Sequence, residues 1–305
     1  MNGIVIPIDP EIVRVGGLVL RWYSLLITLA IVAGVWLGYH EAVRKGLDGA
    51  RVQNLALWAV ISGIIGARLF HVVDNWQFYA ANPGAILSIW NGGLAVYGGL
   101  IGGAIGGALY ARRHGIPGWK MADAAAPGMI LGQALGRLAC IPNGDAYGAP
   151  ANVPWAFVYT NPKALVPSGY LGVPLHPYPV YELLFDLATL AVVWRLRSVL
   201  KRDGQLFLAT AVLYSVGRFL LTFYRVEKVW FLGLQEAQVI ALLAFIAALA
   251  VVLSRLFRTQ PPAEAADAVA PEVSAPAGEI VARRTRTRAS ARLHATSNTQ
   301  TREAP

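Results

Sequence analysis

The chain has 305 residues, 56% apolar and only 14% charged, with a mean hydropathy of +0.49, a balance that excludes a disordered or collagen-like protein and is too oily for an ordinary soluble domain. Its formal charge of +9, from 26 basic and 17 acidic residues, is scattered over short loops and a C-terminal tail instead of forming a stripe, which argues against a nucleic-acid partner. One cysteine, Cys140, excludes an internal disulfide and any multi-cysteine metal site, a structural zinc included.

The N-terminal segment MNGIVIPIDPEIVRVGG lacks the basic start and small-residue cleavage site of a secretory signal and is read as retained. Seven apolar runs follow, predicting membrane helices at about 17–39, 52–74, 94–111, 121–141, 178–194, 205–224 and 235–254, each near the ~20 residues that a bilayer core requires. The expected fold class is therefore all-α, a polytopic domain over residues 1–258 with seven transmembrane helices. The fourth run, MADAAAPGMILGQALGRLACI, carries Asp123, Pro127, Gln133 and Arg137 among alanines and glycines. Such polar content predicts burial among other helices, and its small residues suit close packing. Asp123 reads as a cap for this helix.

Basic residues set the orientation, because Lys and Arg of short loops stay cytoplasmic. Arg44, Lys45 and Arg51 follow the first run, Arg112, Arg113 and Lys120 the third, Arg195, Arg197, Lys201 and Arg202 the fifth, and Arg255 and Arg258 the seventh. The opposite connections hold only Arg14, Lys163, Arg225 and Lys228. The N-terminus is expected outside and the C-terminus in the cytoplasm. Trp76, Tyr79, Trp90, Trp155, Tyr159, Tyr178 and Trp230 fall where an outer interfacial belt would sit. The outer loops 75–93 and 142–177 are long enough to predict function. Residues 259–305 turn to Ala, Pro, Thr, Glu and Arg without aromatics, which predicts a disordered cytoplasmic tail.

Four arginines, Arg21, Arg68, Arg137 and Arg218, lie inside predicted helices, each costing up to ~2.5–3.5 kcal/mol near a helix centre. All four fall in the outer half. Arg218 lies about six residues, roughly 9 Å, from its helix end, so it is expected to face the bundle interior. Arg21 reads as snorkelling to the interface, and Arg68 either pairs with Asp74 or Asp145 or joins the substrate-binding residues. Tyr23, Tyr97, Asn143, Asp145, His176, Tyr181 and Glu182 fall near the same outer ends. A chamber with Arg137 and Arg218 at similar depth suits a phosphate, since guanidinium offers a planar fork of donors and stays charged.

The segment GRLACIPNGDAYGAP at 136–150 resembles the signature of the prolipoprotein diacylglyceryl transferases. LRWYSLL at 20–26, GARLF at 66–70, YGGLIGG at 97–103, HPYPVYELL at 176–184 and YSVGRFLLTFYR at 214–225 resemble that family's other segments in order. The resemblance implies a bacterial inner-membrane enzyme that moves the diacylglyceryl group of phosphatidylglycerol onto the lipobox cysteine of preprolipoprotein signal peptides. It implies Arg137 and Arg218 as essential residues, with Tyr23, Asn143, Gly148 and Tyr214 in support, and it implies no metal or soluble cofactor. Four positions depart from the family pattern: Tyr97 stands where a histidine is common, Cys140 where an asparagine is usual, and Asp145 and Thr222 where glutamates are.

The acceptor thiol must ionise, because the thiolate is the nucleophile. Two arginines would help by positive charge alone; candidates for a base are Tyr97, Asp145 and His176. Asp145 reads rather as an acid that orients an arginine, and His176 as a loop anchor. Two other readings are a non-catalytic phospholipid-binding relative and a transporter of anionic solutes.

Overall fold

The computed structural model describes residues 3–16, 18–88, 92–227 and 229–257. The expected tail, Arg258, Lys228 and Trp90 lie outside the described residues. Eight α-helices are described: α1 Trp22–Arg44, α2 Gly49–Asp74, α3 Trp76–Ala81, α4 Val96–Arg113, α5 Gly118–Asn143, α6 Tyr178–Val199, α7 Gln205–Leu221 and α8 Glu236–Phe257. All seven predicted runs are helical, and α3 is a short addition in the loop after α2. Five helices, α1, α2, α5, α7 and α8, are long and apolar enough to cross a membrane. Among the other long helices, α4 has 18 residues and ends in Arg112 and Arg113, and α6 carries buried Glu182 and Asp186.

The first predicted helix begins too early. Leu18–Arg21 (β3) pairs antiparallel with Glu11–Val15 (β2), and the chain turns between them at Gly16 with φ near 59°. Arg21 is the last residue of that strand and the N-cap of α1, with a half-exposed side chain 3.9 Å from Glu11; it reaches solvent from a hairpin. An apolar strand that runs straight into an apolar helix leaves no compositional break to read.

Two seams of small residues pair the long helices. On α1, Gly34 packs so tightly on α5 that an added Cβ would come within 2.7 Å of the Gly128 carbonyl oxygen. Gly66 of α2 similarly meets Gly98 and Gly102 of α4. Without side chains at these points the backbones approach closely, which is how apolar helices gain packing in a lipid environment. The α5 helix packs against α1, α6 and α7 and has the largest buried share of the five apolar helices, as its polar content predicts.

The two ends of the bundle differ. At one end, called here the basic end, Glu41 of α1 is buried against Arg44 at 2.6 Å and against Arg197 of α6. Arg197 also lies over the Trp194 ring at 3.3 Å. Asp123, 2% exposed, accepts the backbone N–H groups of Gly204 and Phe207, both at 2.9 Å, with Lys45 at 3.5 Å. It thus caps the start of α7 across the bundle and does not cap its own helix, whose N-cap is Pro117. Those orphan N–H groups attract a carboxylate wherever the chain supplies one.

The other end carries the β structure. Ile4–Ile6 (β1) pairs parallel with Phe157–Tyr159 (β4), which pairs antiparallel with Pro174–Leu175 (β5). Val229–Phe231 (β6) and Leu234–Gln235 (β7) form a hairpin before α8. Ile6, Phe157, Tyr159, Ala164, Val166 and Leu175 give the three-stranded sheet its own small core. The architecture is therefore mostly helical, with three small sheets of short strands added to the expected helices, and the long loop 142–177 is a folded roof.

Candidate active site beneath the sheet end

Arg137 stands near the C-terminus of α5, Glu182 near the N-terminus of α6 and Arg218 in the last turn of α7. Their helices bring all three to the same depth. Arg137 Nε lies 2.8 Å from Glu182 Oε2, a charge contact out of line for a hydrogen bond. Arg218 Nη1 donates to Glu182 Oε1 and, at 3.0 Å, to the Tyr178 hydroxyl. Glu182 is 3% exposed. One buried carboxylate thus holds two guanidiniums, and a buried acid of this kind persists because its neighbours supply charge and donors. Among the described residues, the Nη groups of Arg137 and the Nε and Nη2 of Arg218 make no hydrogen bond. Those open donors suit an oxyanion.

One turn away, Gln133 Nε2 donates to the Tyr214 hydroxyl at 3.2 Å. Toward the sheet end, Cys140, Ala146 and Tyr178 form a buried cluster against which Tyr23 and Leu221 pack. Cys140 Sγ lies 4.0 Å from Asp145 Oδ2, and the other oxygen, Oδ1, is buried without a partner. Asp145 therefore orients no arginine among the described residues. The α5 helix ends at Gly144 with φ near 75°, and the chain then carries Asp145 to the cysteine; the arginine-holding acid is Glu182.

Asn143, the last residue of α5, is buried and its carbonyl accepts the Leu165 N–H at 2.8 Å. Gly148 is packed against protein backbone: its N–H donates to the His176 carbonyl at 3.1 Å, and an added Cβ would meet that oxygen at 2.7 Å and the Tyr224 oxygen at 2.8 Å. Its missing side chain is explained by the fit of two loops. His176 Nδ1 is 3.1 Å from the Tyr181 hydroxyl, which also accepts Trp155 Nε1 at 2.8 Å, and Tyr224 stands edge-on to the histidine. That set is the expected loop anchor. Tyr97, in the first turn of α4, is 38% exposed and makes no side-chain hydrogen bond among the described residues.

Arg68 differs from the expectation. It is buried, and Nε donates to the Ile86 carbonyl at 2.8 Å, Nη1 to Gly92 and Gly93 at 2.7 and 2.8 Å, and Nη2 to Ala85 and Ser88 at 2.6 and 3.4 Å. All five N–H groups of a guanidinium are used to fold the loop between α2 and α4. Arg68 is a loop clamp, with neither Asp74, Asp145 nor an open donor for substrate.

Sequence reasoning placed Glu182 near the chamber without giving it a role, and it left Tyr178 in the interfacial belt and Arg225 among the loop cations. Arg225 lies 5.3 Å over the Tyr178 ring and 2.8 Å from Glu227. Charge counting could have found Glu182, since two arginines enclosed together require an acid nearby. Lys163 ties the roof to the N-terminal segment through Asp9 at 2.7 Å and Glu11 at 3.5 Å, and Arg14 meets Glu11 within β2 at 2.6 Å. These cations hold both carboxyls below the usual range, Asp9 chiefly through Lys163 and Glu11 chiefly through Arg14. Burial pushes the Tyr159 phenol up.

An open trough of about 890 Å³ runs between α2 and α4, walled by Trp58, Ile65, Leu69, Phe70, Ile101 and Leu109. Its apolar walls and lack of acids suit hydrocarbon, and the two arginines with their shared acid lie elsewhere, between α5, α6 and α7.

Residues 10–254 match the family model for prolipoprotein diacylglyceryl transferase. The chain is similar to proteins named phosphatidylglycerol-prolipoprotein diacylglyceryl transferase from Lysinibacillus sphaericus, at 32% identity over 86% of this chain and 97% of the relative. Those of Geobacillus kaustophilus, at 35% over 84% and 95%, and Dehalococcoides mccartyi, at 38% over 78% and 90%, bear the same name. With the match running from the β2 hairpin through α8 and including both arginines and their shared acid, the chain belongs to the prolipoprotein diacylglyceryl transferase family.

Proposed function

We propose that this multi-pass membrane protein transfers the diacylglyceryl group of phosphatidylglycerol to the lipobox cysteine thiol of preprolipoproteins. Its setting is the bacterial cytoplasmic membrane, crossed seven times, with α4 and α6 joining the five more apolar helices. The basic end faces the cytoplasm and the sheet end faces out, a reading supported by the gathering of Arg44, Arg113, Arg197 and Arg202 at one end. Enclosure among other helices lets α6 cross despite its two acids.

The observation that carries the proposal is the pair Arg137 and Arg218, fixed by Glu182 with donors left open. The lipid phosphodiester binds between them. The thiolate sulfur attacks the glyceryl carbon, the S–C bond forms, the C–O bond to phosphate breaks, and the electron pair leaves on the phosphate oxygen. Arginines placed in advance stabilise that developing charge, an effect worth roughly 10²- to 10³-fold per donor group in other enzymes. Tyr214 supports Arg218 from the same helix face, and Asn143 fixes the end of α5 beside the site. Tyr23, Asp145 and Tyr97, all at the sheet end, are assigned to the thiol side of the reaction, where its proton departs. No step calls on a cofactor.

The test incubates purified protein with phosphatidylglycerol and a lipobox peptide and follows peptide mass. A diacylglyceryl adduct is expected from wild type and from Cys140→Ala, and its loss from Arg137→Ala. Absence of any adduct with wild type, while phosphatidylglycerol still binds, overturns the proposal in favour of a phospholipid-binding relative.

A further inference from the structure

Asp186 is 2% exposed, its Oδ2 is sealed without a partner, and it accepts no hydrogen bond among the described residues. It is not part of the chemistry derived above. It stands four residues after Glu182 on α6, so both acids share a helix face one turn apart. Gln133 and Tyr214 stand four residues before Arg137 and Arg218 on α5 and α7. Because α6 runs opposite to α5 and α7, all three displacements point toward the basic end. The site therefore has two layers: Arg137, Glu182 and Arg218 above, and Gln133, Asp186 and Tyr214 below. Gln133 and Tyr214 bond to one another and leave the acid alone.

The groups acting on Asp186 are Arg137 from α5, Arg218 and Tyr214 from α7, and Glu182 from its own helix. Two guanidiniums and one carboxylate leave the upper layer with a net charge of +1. An enclosed net charge is costly, and the cost falls on whichever group can change its protonation. With Asp186 ionised the empty site is neutral. When a monoanionic phosphodiester enters, neutrality requires Asp186 to be protonated.

We propose that Asp186 is the counter-charge of the empty site and takes up one proton when the lipid phosphodiester binds between Arg137 and Arg218. The proton comes from solvent and converts the carboxylate to a carboxylic acid; no bond of the lipid changes. The inference rests on the reading that these two arginines hold the lipid phosphate. It makes Asp186 a positioning residue, acting on lipid only through the charge of the pair above it. It also favours headgroups with a single negative charge, because one protonation balances one charge.

Isothermal titration of the full-length protein in detergent with dihexanoyl phosphatidylglycerol, in buffers of different ionisation enthalpy, counts the protons. Wild type is expected to take up about one proton per lipid where Asp186 is ionised in the empty site, so that affinity there weakens about tenfold per pH unit. Asp186→Asn is expected to take up none, to bind with pH-independent affinity and to bind more tightly than wild type at alkaline pH. Asp186→Glu is expected to keep the proton. Wild-type binding at alkaline pH without proton uptake overturns the inference alone, as does an unchanged proton count in Asp186→Asn. No binding by wild type, or undiminished binding by Arg137→Ala, overturns the phosphate reading beneath it.

Discussion

Arg68 and Arg218 are arginines enclosed in the same half of the bundle, on α2 and α7, and they differ in what their guanidiniums meet. Arg68 gives every N–H to a backbone carbonyl of its own loop. Arg218 gives one nitrogen to Glu182 and Tyr178 and keeps the rest open, as does Arg137. A buried cation is a structural part when the fold uses all its donors, and a binding group when an acid holds it by one edge. Enclosure among helices, common to both, does not separate the two cases.

The largest effect is expected where the acid is removed. Glu182→Gln keeps the shape and leaves two guanidiniums without their counter-charge, which should destabilise the protein by about 3–5 kcal/mol. Added phosphatidylglycerol should restore melting temperature more in this variant than in wild type, because its phosphate replaces the missing charge. Equal lipid shifts in both proteins would show that the pair does not meet the phosphate. Next come the two arginines themselves. Arg218→Lys should lower turnover roughly 10²- to 10³-fold with little change in melting, since an ammonium cannot offer the planar fork. Arg68→Lys should do the reverse, costing on the order of 2 kcal/mol as charged hydrogen bonds to the loop are lost, with turnover per folded molecule retained. Melting curves and single-turnover rates on both variants would break the comparison if the two behaved alike.

The smallest effect concerns the roof. Asp9 and Glu11 are held below ordinary carboxyl values by Lys163 and Arg14, so their ion pairs contribute fully above the unfolded carboxyl range. That contribution is lost as pH falls through the lowered values, below about pH 4. Amide exchange in residues 4–15, corrected for intrinsic rate, should rise there in wild type and be raised already at neutral pH in Lys163→Ala. The groups are exposed and water screens them, so the change should be modest.

The helices were legible because long apolar runs and basic loops are compositional. All seven runs became helices, and only α1 started several residues late, where β3 hides in apolar sequence. The roof was not legible, since nothing local tells Ile4–Ile6 that its partner is Phe157–Tyr159. At the site, Arg137 and Arg218 were visible as charges inside apolar segments. Asp145 and Asp123 were each given a partner that the fold assigns differently: Gly144 turns Asp145 toward Cys140, and Asp123 serves the start of α7 instead of its own helix. Pairing across helices depends on which faces meet, and a single sequence states the faces but not the meetings.

The parallel pairing of Ile4–Ile6 with Phe157–Tyr159 also has a meaning for synthesis. The first strand leaves the ribosome about 150 residues ahead of its partner, a wait of roughly 8 to 30 seconds at ordinary elongation rates. Throughout that interval α1, α2, α4 and α5 are made while the strand has no neighbour to bond. The roof therefore closes only after α5, with Arg137, has been delivered, and Ile4–Ile6 waits through four long helices before it can pair.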